Sequence, residues 1–255
     1  RGQPLLQLGT VLAASVALAV VPEMASLAAE KKQKEIRTLA KLSVKISIVF
    51  GGAAAIGLIF IMKYLNVMLF KNDDGSLALA ILCISIIFVS IIYTTTGLLQ
   101  GIGQGRFAAY TVLVAVLIKI LGNLLLIPSF GMEGAAGSTV LATMAAALAQ
   151  LLKLQFVTKF LTGSRKTTLL TLFISLLLMG AGVWTWIHMT ENYIFIADTR
   201  FKAMLISISS SFIGAVIYIL CISVFKVFSQ NEWNSVFHSI GFIQKVFKRL
   251  KKRRP

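Results

Sequence analysis

The stretch KILGNLLLIPSFGMEGAAGST, Lys119–Thr139, decides how this chain is read. The eleven residues before it, AAYTVLVAVLI, are almost wholly apolar. They run straight into Lys119 and, four residues later, Asn123. Pro128 and Gly131 then interrupt the run, and a second run rich in small residues starts at Gly134. This is the pattern of two membrane-crossing helices joined by a short break, with a polar pair inside the first. A lysine at the centre of a membrane helix costs about 2.5–3.5 kcal/mol on insertion scales, so Lys119 needs a reason to be there.

The rest of the chain agrees with a membrane reading. Of 255 residues, 57% are hydrophobic and 13% charged, and the mean hydropathy is +0.86. A soluble domain carries about 25% charged residues. Seven apolar runs are long enough to cross a hydrocarbon core of about 30 Å. They fall at 4–29, 40–69, 76–100, 107–128, 134–158, 167–189 and 202–228. The short alternating strands of a β-barrel are not seen. The expected fold is all-α and polytopic, with seven transmembrane helices. The chain opens on Arg1 with an apolar helix close behind, so it is read as the C-terminal part of a longer protein.

The net charge of +16 comes from 25 basic and nine acidic residues. The cations cluster between spans and are not interleaved with aromatics, which speaks for membrane topology and against nucleic acid. Alternate connections and the tail hold 19 Lys and Arg, against five on the other side. By the positive-inside rule the chain starts outside, crosses seven times and ends in the cytoplasm. The tail, EWNSVFHSIGFIQKVFKRLKKRRP, puts Trp233, Phe237, Ile240, Phe247 and Leu250 on one helical stripe. Lysines and arginines crowd its end. It is expected to lie on the anionic inner leaflet.

Little in the sequence points to catalysis. Cys83 and Cys221 lie inside apolar runs and read as small buried side chains. His188 and His238 show no metal-ligand spacing, and no nucleophile–base order is evident. No phosphate-loop motif is found, and GIGQG, Gly101–Gly105, follows a membrane helix instead of a strand. No cofactor is expected, and the chain is not read as an enzyme. Gly97, Gly101 and Gly105, and the small residues of GAAGST, read as faces for close helix packing. Trp184, Trp186 and Tyr193 read as an outer aromatic belt.

The candidate site is therefore a set of polar groups inside the spans. Lys119 and Asn123 are four apart and share a helix face. Either they face a water-filled cavity, or Lys119 snorkels to the surface. Gln3 and Gln7 are likewise four apart in the first span, behind Arg1 and Pro4. An arginine fork grips two phosphate oxygens, so Arg1 is a candidate for a phosphorylated ligand; the alternative is an ordinary interfacial arginine.

The segment LLQGIGQGRFAAYTVLVAVLIKILGNLLLIPSFGMEGAAGSTVLAT, Leu98–Thr143, resembles a known pattern. It reads Q-G-x-G, then K-x-x-x-N-x-x-L-I-P-x-x-G-x-x-G-A-A, a small residue and T. Together with RGQPLLQLGTVLAASVALAVVPEMA it resembles the polysaccharide-biosynthesis flippases of the multidrug/oligosaccharidyl-lipid/polysaccharide exporter superfamily. The resemblance is to the stage V sporulation protein B branch, related to the lipid II flippases of peptidoglycan synthesis. It implies about fourteen helices in two lobes of six plus two more. The seven spans then match helices eight to fourteen: second-lobe helices over 1–160, two further helices over 161–230 and the basic tail over 231–255. It further implies transport of a polyprenyl-diphosphate-linked sugar, with a missing N-terminal lobe as partner and a basic residue at the place of Arg1 near the diphosphate. Two rivals stay open: a multidrug or cation antiporter of the same superfamily, and a non-transporting seven-helix protein.

Overall fold

The computed structural model describes residues 2–70, 74–160, 166–193, 199–225 and 227. The described residues form six helical segments: α1 Gly2–Ala29, α2 Gln33–Phe70, α3 Ser76–Gly101, α4 Gly105–Thr158, α5 Lys166–Tyr193 and α6 Thr199–Val224. All six are long and apolar enough to cross a membrane. The chain is a polytopic all-α membrane protein. Arg1 and the tail beyond residue 227 lie outside the described residues, and with them the phosphate-binding and interfacial-helix expectations.

The count of six and the expected seven agree once α4 is followed along its length. Its backbone leaves helical geometry at Gly131, where φ is 55° and ψ −129°. Only glycine adopts this conformation readily. Pro128, three residues earlier, removes one helical N–H donor. The two arms, 105–130 and 132–158, fold back on each other. Ser138 hydrogen-bonds Asn123, Gln150 reaches Thr111, and Gly134 abuts the Leu126 backbone. In a straight helix Thr111 and Gln150 would stand almost 60 Å apart at about 1.5 Å per residue. Each arm is long enough to cross, so the described residues hold seven segments able to span a membrane.

One helix is longer than the span expected within it. The span expected to start at residue 40 lies within a helix that starts at Gln33. Lys31 sits in the left-handed region, with φ 54°, and ends the preceding turn. Beyond it, QKEIRTLAKL has no helix breaker, so α2 begins seven residues before the apolar run expected from residue 40. Glu30 and Lys32 pair there at 2.6 Å. The contact holds the Glu30 carboxyl below, and the Lys32 ammonium above, its usual range.

α3 is the central strut. α1 runs parallel to it, since Gly9 meets Ile86, Gly97 meets the Ala17 backbone and Gly101 meets Met24. A Cβ at Gly97 would lie 2.9 Å from Ala17 O, so the glycine is what admits α1. α2 runs antiparallel, with Ser47 facing Thr94 and Gly51 facing Ser90. α4 packs on the remaining side. α5 and α6 form an antiparallel pair on α2, through Leu176 against Gly52 and the Tyr218 hydroxyl donating to Val49 O at 2.8 Å. At one end of the bundle Arg37 Nε donates to Lys159 O at 2.7 Å. At the other, Arg200 Nε donates to Met68 O at 3.2 Å. The ends thus sort as seven crossings demand.

The close-packing reading of the glycines holds at Gly97 and Gly101, whereas Gly105 faces only Gln100 of its own turn. Trp186 departs from the belt reading: its indole donates to Ser209 across the α5–α6 seam at 3.2 Å. Trp184 does face outward, stacked on His188 at 5.8 Å. Cys83 is buried, Cys221 half-buried, and both are free.

Candidate functional site

The first arm of α4 touches the bundle along one narrow stripe. Leu113, Leu117, Leu121, Leu124 and Leu125 are all exposed, and so is Lys119 among them. In a membrane such a face meets lipid or another protein surface. Lys119 lies about 13 Å, nine residues, before Pro128 along the arm. Its level can be fixed from contacts. Gly122 meets Ser138, and the second arm keeps step with α3 from Gly75–Met132 to Thr95–Gln150. Lys119 is therefore level with Ser85–Ile86 of α3 to within about one helical turn.

Gly9 of α1 meets α3 at the same Ile86. Gln7, one half-turn away and exposed, thus shares the level of Lys119 on another side of α3. The two are not in contact: α1 and α4 both pack chiefly on α3. Gln3 lies in α1 one turn nearer the helix start.

Asn123 plays a different part from Lys119. It is half-buried, and its carboxamide oxygen accepts a hydrogen bond from the Ser138 hydroxyl. The close approach needs Gly122, where a Cβ would lie 2.8 Å from the Ser138 Cβ. Asn123 clasps the two arms of the hairpin, so Lys119 is held on an ordered helix. Sharing a helix face left both residues the same options; the partner on the second arm separates them.

A polar cluster that the sequence reading passed over lies deeper. Gln150 is fully buried. Its carbonyl oxygen accepts from Thr95 at 2.6 Å and Thr96 at 3.2 Å. Its amide donates to Thr111 Oγ1 at 2.8 Å and Ala108 O at 3.4 Å. One side chain thereby joins α3 to both arms of α4, with every donor and acceptor of its amide used. Next to it, Thr94 and Ser47 share a hydrogen bond of 2.5 Å between α3 and α2. The available signal was a lone glutamine in AAALAQLLK and three threonines in a row at 94–96.

Carboxylates avoid this region. Among the described residues, Glu30 and Glu35 sit at one end of the bundle and Asp74, Glu133 and Glu191 at the other. Glu23, near the end of α1, is exposed. No group of three or more His, Cys, Asp or Glu able to hold a metal occurs among the described residues. Lys119 thus stands on an exposed apolar face, and the hydroxyls of the Gln150 cluster are buried between α3 and the hairpin.

Comparison with known proteins agrees with the architecture. The MatE family model matches residues 2–125. A curated relative, "Uncharacterized membrane protein YabM" of Bacillus subtilis (strain 168), is 36% identical over 236 residues, covering 92% of this chain and 44% of the relative. "Uncharacterized membrane protein MJ1375" of Methanocaldococcus jannaschii is 26% identical over 136 residues, covering 52% of this chain and 31% of the relative. The chain spans less than half the length of these relatives. Among solved structures, "Lipid II flippase MurJ, inward closed conformation" superposes with a TM-score of 0.61 at 17% identity, over 87% of this chain and 46% of that one. This last likeness concerns the fold. With the 36% identity to YabM beside the family match, the chain is similar to the MatE proteins over residues 2–125, just under half of its length.

Proposed function

We propose that this chain is the C-terminal part of a transporter that flips a polyprenyl-diphosphate-linked sugar, a lipid II or polysaccharide precursor, across the bacterial cytoplasmic membrane. The start of the chain lies outside, its basic tail lies in the cytoplasm on anionic lipid, and an N-terminal lobe of the same protein completes the cavity. The sugar and diphosphate pass through water between lobes while the prenyl tail stays in lipid, by alternating access.

The observation that carries this reading is Lys119. It is a cation left uncovered about a third of the way across an apolar bundle, level with Gln7 on the neighbouring flank. A lysine there is tolerated when it faces a polar cavity. An anionic head group suits it, and Gln3 and Gln7 lie along the neighbouring helix α1. Asn123 shapes the cavity wall through its clasp on Ser138. The antiporter alternative is less well supported, because cationic drugs and coupling ions call for a carboxylate deep in a span.

Transbilayer movement of a lipid-linked oligosaccharide by the full-length protein tests the proposal. Arg1→Ala and Lys119→Leu should each slow flipping about tenfold, the worth of one charge-assisted contact. Arg1→Lys should restore it in part, since lysine offers a point charge and no fork. Normal expression with wild-type flipping in both Arg1→Ala and Lys119→Leu would refute the site.

A further inference from the structure

α2 carries a second cationic feature that the transport reading does not use. Lys34, Arg37, Lys41 and Lys45 follow one another at steps of three, four and four. On a helix these steps keep all four on one face, within an arc of about 80°. The core face of the same segment, Ile36, Ala40 and Val44, points elsewhere and is buried against α1, α3 and α4. The acids that flank the stripe in sequence are off it. Glu30 and Glu35 lie near Lys32, at 2.6 and 4.0 Å. Among the described residues, the ion pairs involve Lys32 and leave Lys34, Arg37 and Lys41 outside them.

The depth of the stripe follows from the α2–α3 seam. Ser47 pairs with Thr94 and Gly51 with Ser90, so Lys41 is level with the end of α3 at Gly101. Lys45 sits one turn inside that end, and Lys34 and Arg37 project beyond it. The four cations cover about 16 Å of axis, from water through the head-group layer to the edge of the hydrocarbon. Lys34 is exposed, and the other three are half-buried with their stems along apolar surface. Arg37 is fixed in place, because its Nε donates to Lys159 O at the end of α4. That bond sets the guanidinium beside a further lysine.

We propose that this face of α2 is a docking surface for the phosphates of anionic phospholipids in the leaflet at that end of the bundle. Charge complementarity and depth carry the assignment. A helix merely entering water scatters its charges around the axis, whereas this one confines them to a single arc. At the level of Lys41 and Lys45 the anions within reach are lipid head groups. Arg37 offers a fork to two phosphate oxygens, and the lysines offer point charges on flexible stems. The surface requires only that the protein sit in a membrane, so it stands or falls apart from the transport proposal.

The test is native mass spectrometry of the purified full chain with phosphatidylglycerol or phosphatidylcholine added. The stripe variant combines Lys34→Gln, Arg37→Gln, Lys41→Gln and Lys45→Gln. The control combines Lys31→Gln, Lys32→Gln, Arg106→Gln and Lys153→Gln, which removes as many charges from the same end but outside this face. Wild type and control should retain phosphatidylglycerol, and the stripe variant should lose it, by about fivefold in affinity per charge removed. Phosphatidylcholine binding should be alike in all three. Equal losses in stripe variant and control would overturn the proposal in favour of diffuse attraction, and so would full retention by the stripe variant. If the fourfold variant does not fold, Lys34→Gln and Lys41→Gln made singly decide: each should weaken phosphatidylglycerol about fivefold, and no change in either refutes the surface.

Discussion

Replacing Gln150 by leucine removes the polar hub while nearly conserving volume. Four contacts are lost, of unequal quality. The bonds from Thr95 at 2.6 Å and to Thr111 at 2.8 Å are well formed. Those from Thr96 at 3.2 Å and to Ala108 O at 3.4 Å are long and weak. Interhelical hydrogen bonds in membrane proteins average about 0.6 kcal/mol and reach about 1.7. Two good bonds and two poor ones give a loss of about 1–3 kcal/mol. The freed threonines limit the damage. Thr95 also donates toward Ile91 O at 2.7 Å, and Thr111 toward Ala108 O at 2.7 Å, so neither hydroxyl is stranded. The loss should be read by reversible unfolding in mixed detergent. A double-mutant cycle with Thr111→Val isolates the pair, and its coupling should be about 0.6–1.7 kcal/mol. A Gln150→Leu protein as stable as wild type, with no coupling to Thr111, would show that the hub is not what joins α3 to the hairpin.

Two further outcomes test the hairpin and the crossings. Gly122→Leu puts a side chain where a Cβ already lies 2.8 Å from Ser138 Cβ, so it should part the arms and destabilise the protein by about 1–3 kcal/mol, seen as a lower unfolding midpoint. Single cysteines at Asp74, Glu133 and Glu191 should label from one side of the membrane, and those at Lys31 and Lys159 from the other; Asp74 and Lys159 labelling from the same side would break the seven-crossing arrangement.

Much of the fold was legible because membrane helices announce themselves by length and hydropathy. The break at Pro128–Gly131 marked the hairpin, and the four-residue glycine steps marked the face of α3 that admits α1. What the sequence hid were side-chain partners. The threonines at 94–96 and Gln150 are each unremarkable alone; only packing shows that they meet across 54 and 55 residues. Asn123 was legible as polar, but its bond to Ser138 depends on how tightly the arms close over Gly122. The start of α2 lay outside the span reading, because hydropathy reports where a helix enters lipid, while the helix itself continues as long as its residues favour it.

The neighbouring threonines of α3 have a mechanical consequence. Thr94 is fastened to α2 and Thr95 to α4, and adjacent residues point about 100° apart around a helix. Two fastenings in different directions at one height resist both spin about the axis and sliding along it. A change of shape at this level is therefore favoured when it carries α2, α3 and the hairpin as one piece, with bending left to the segments on either side.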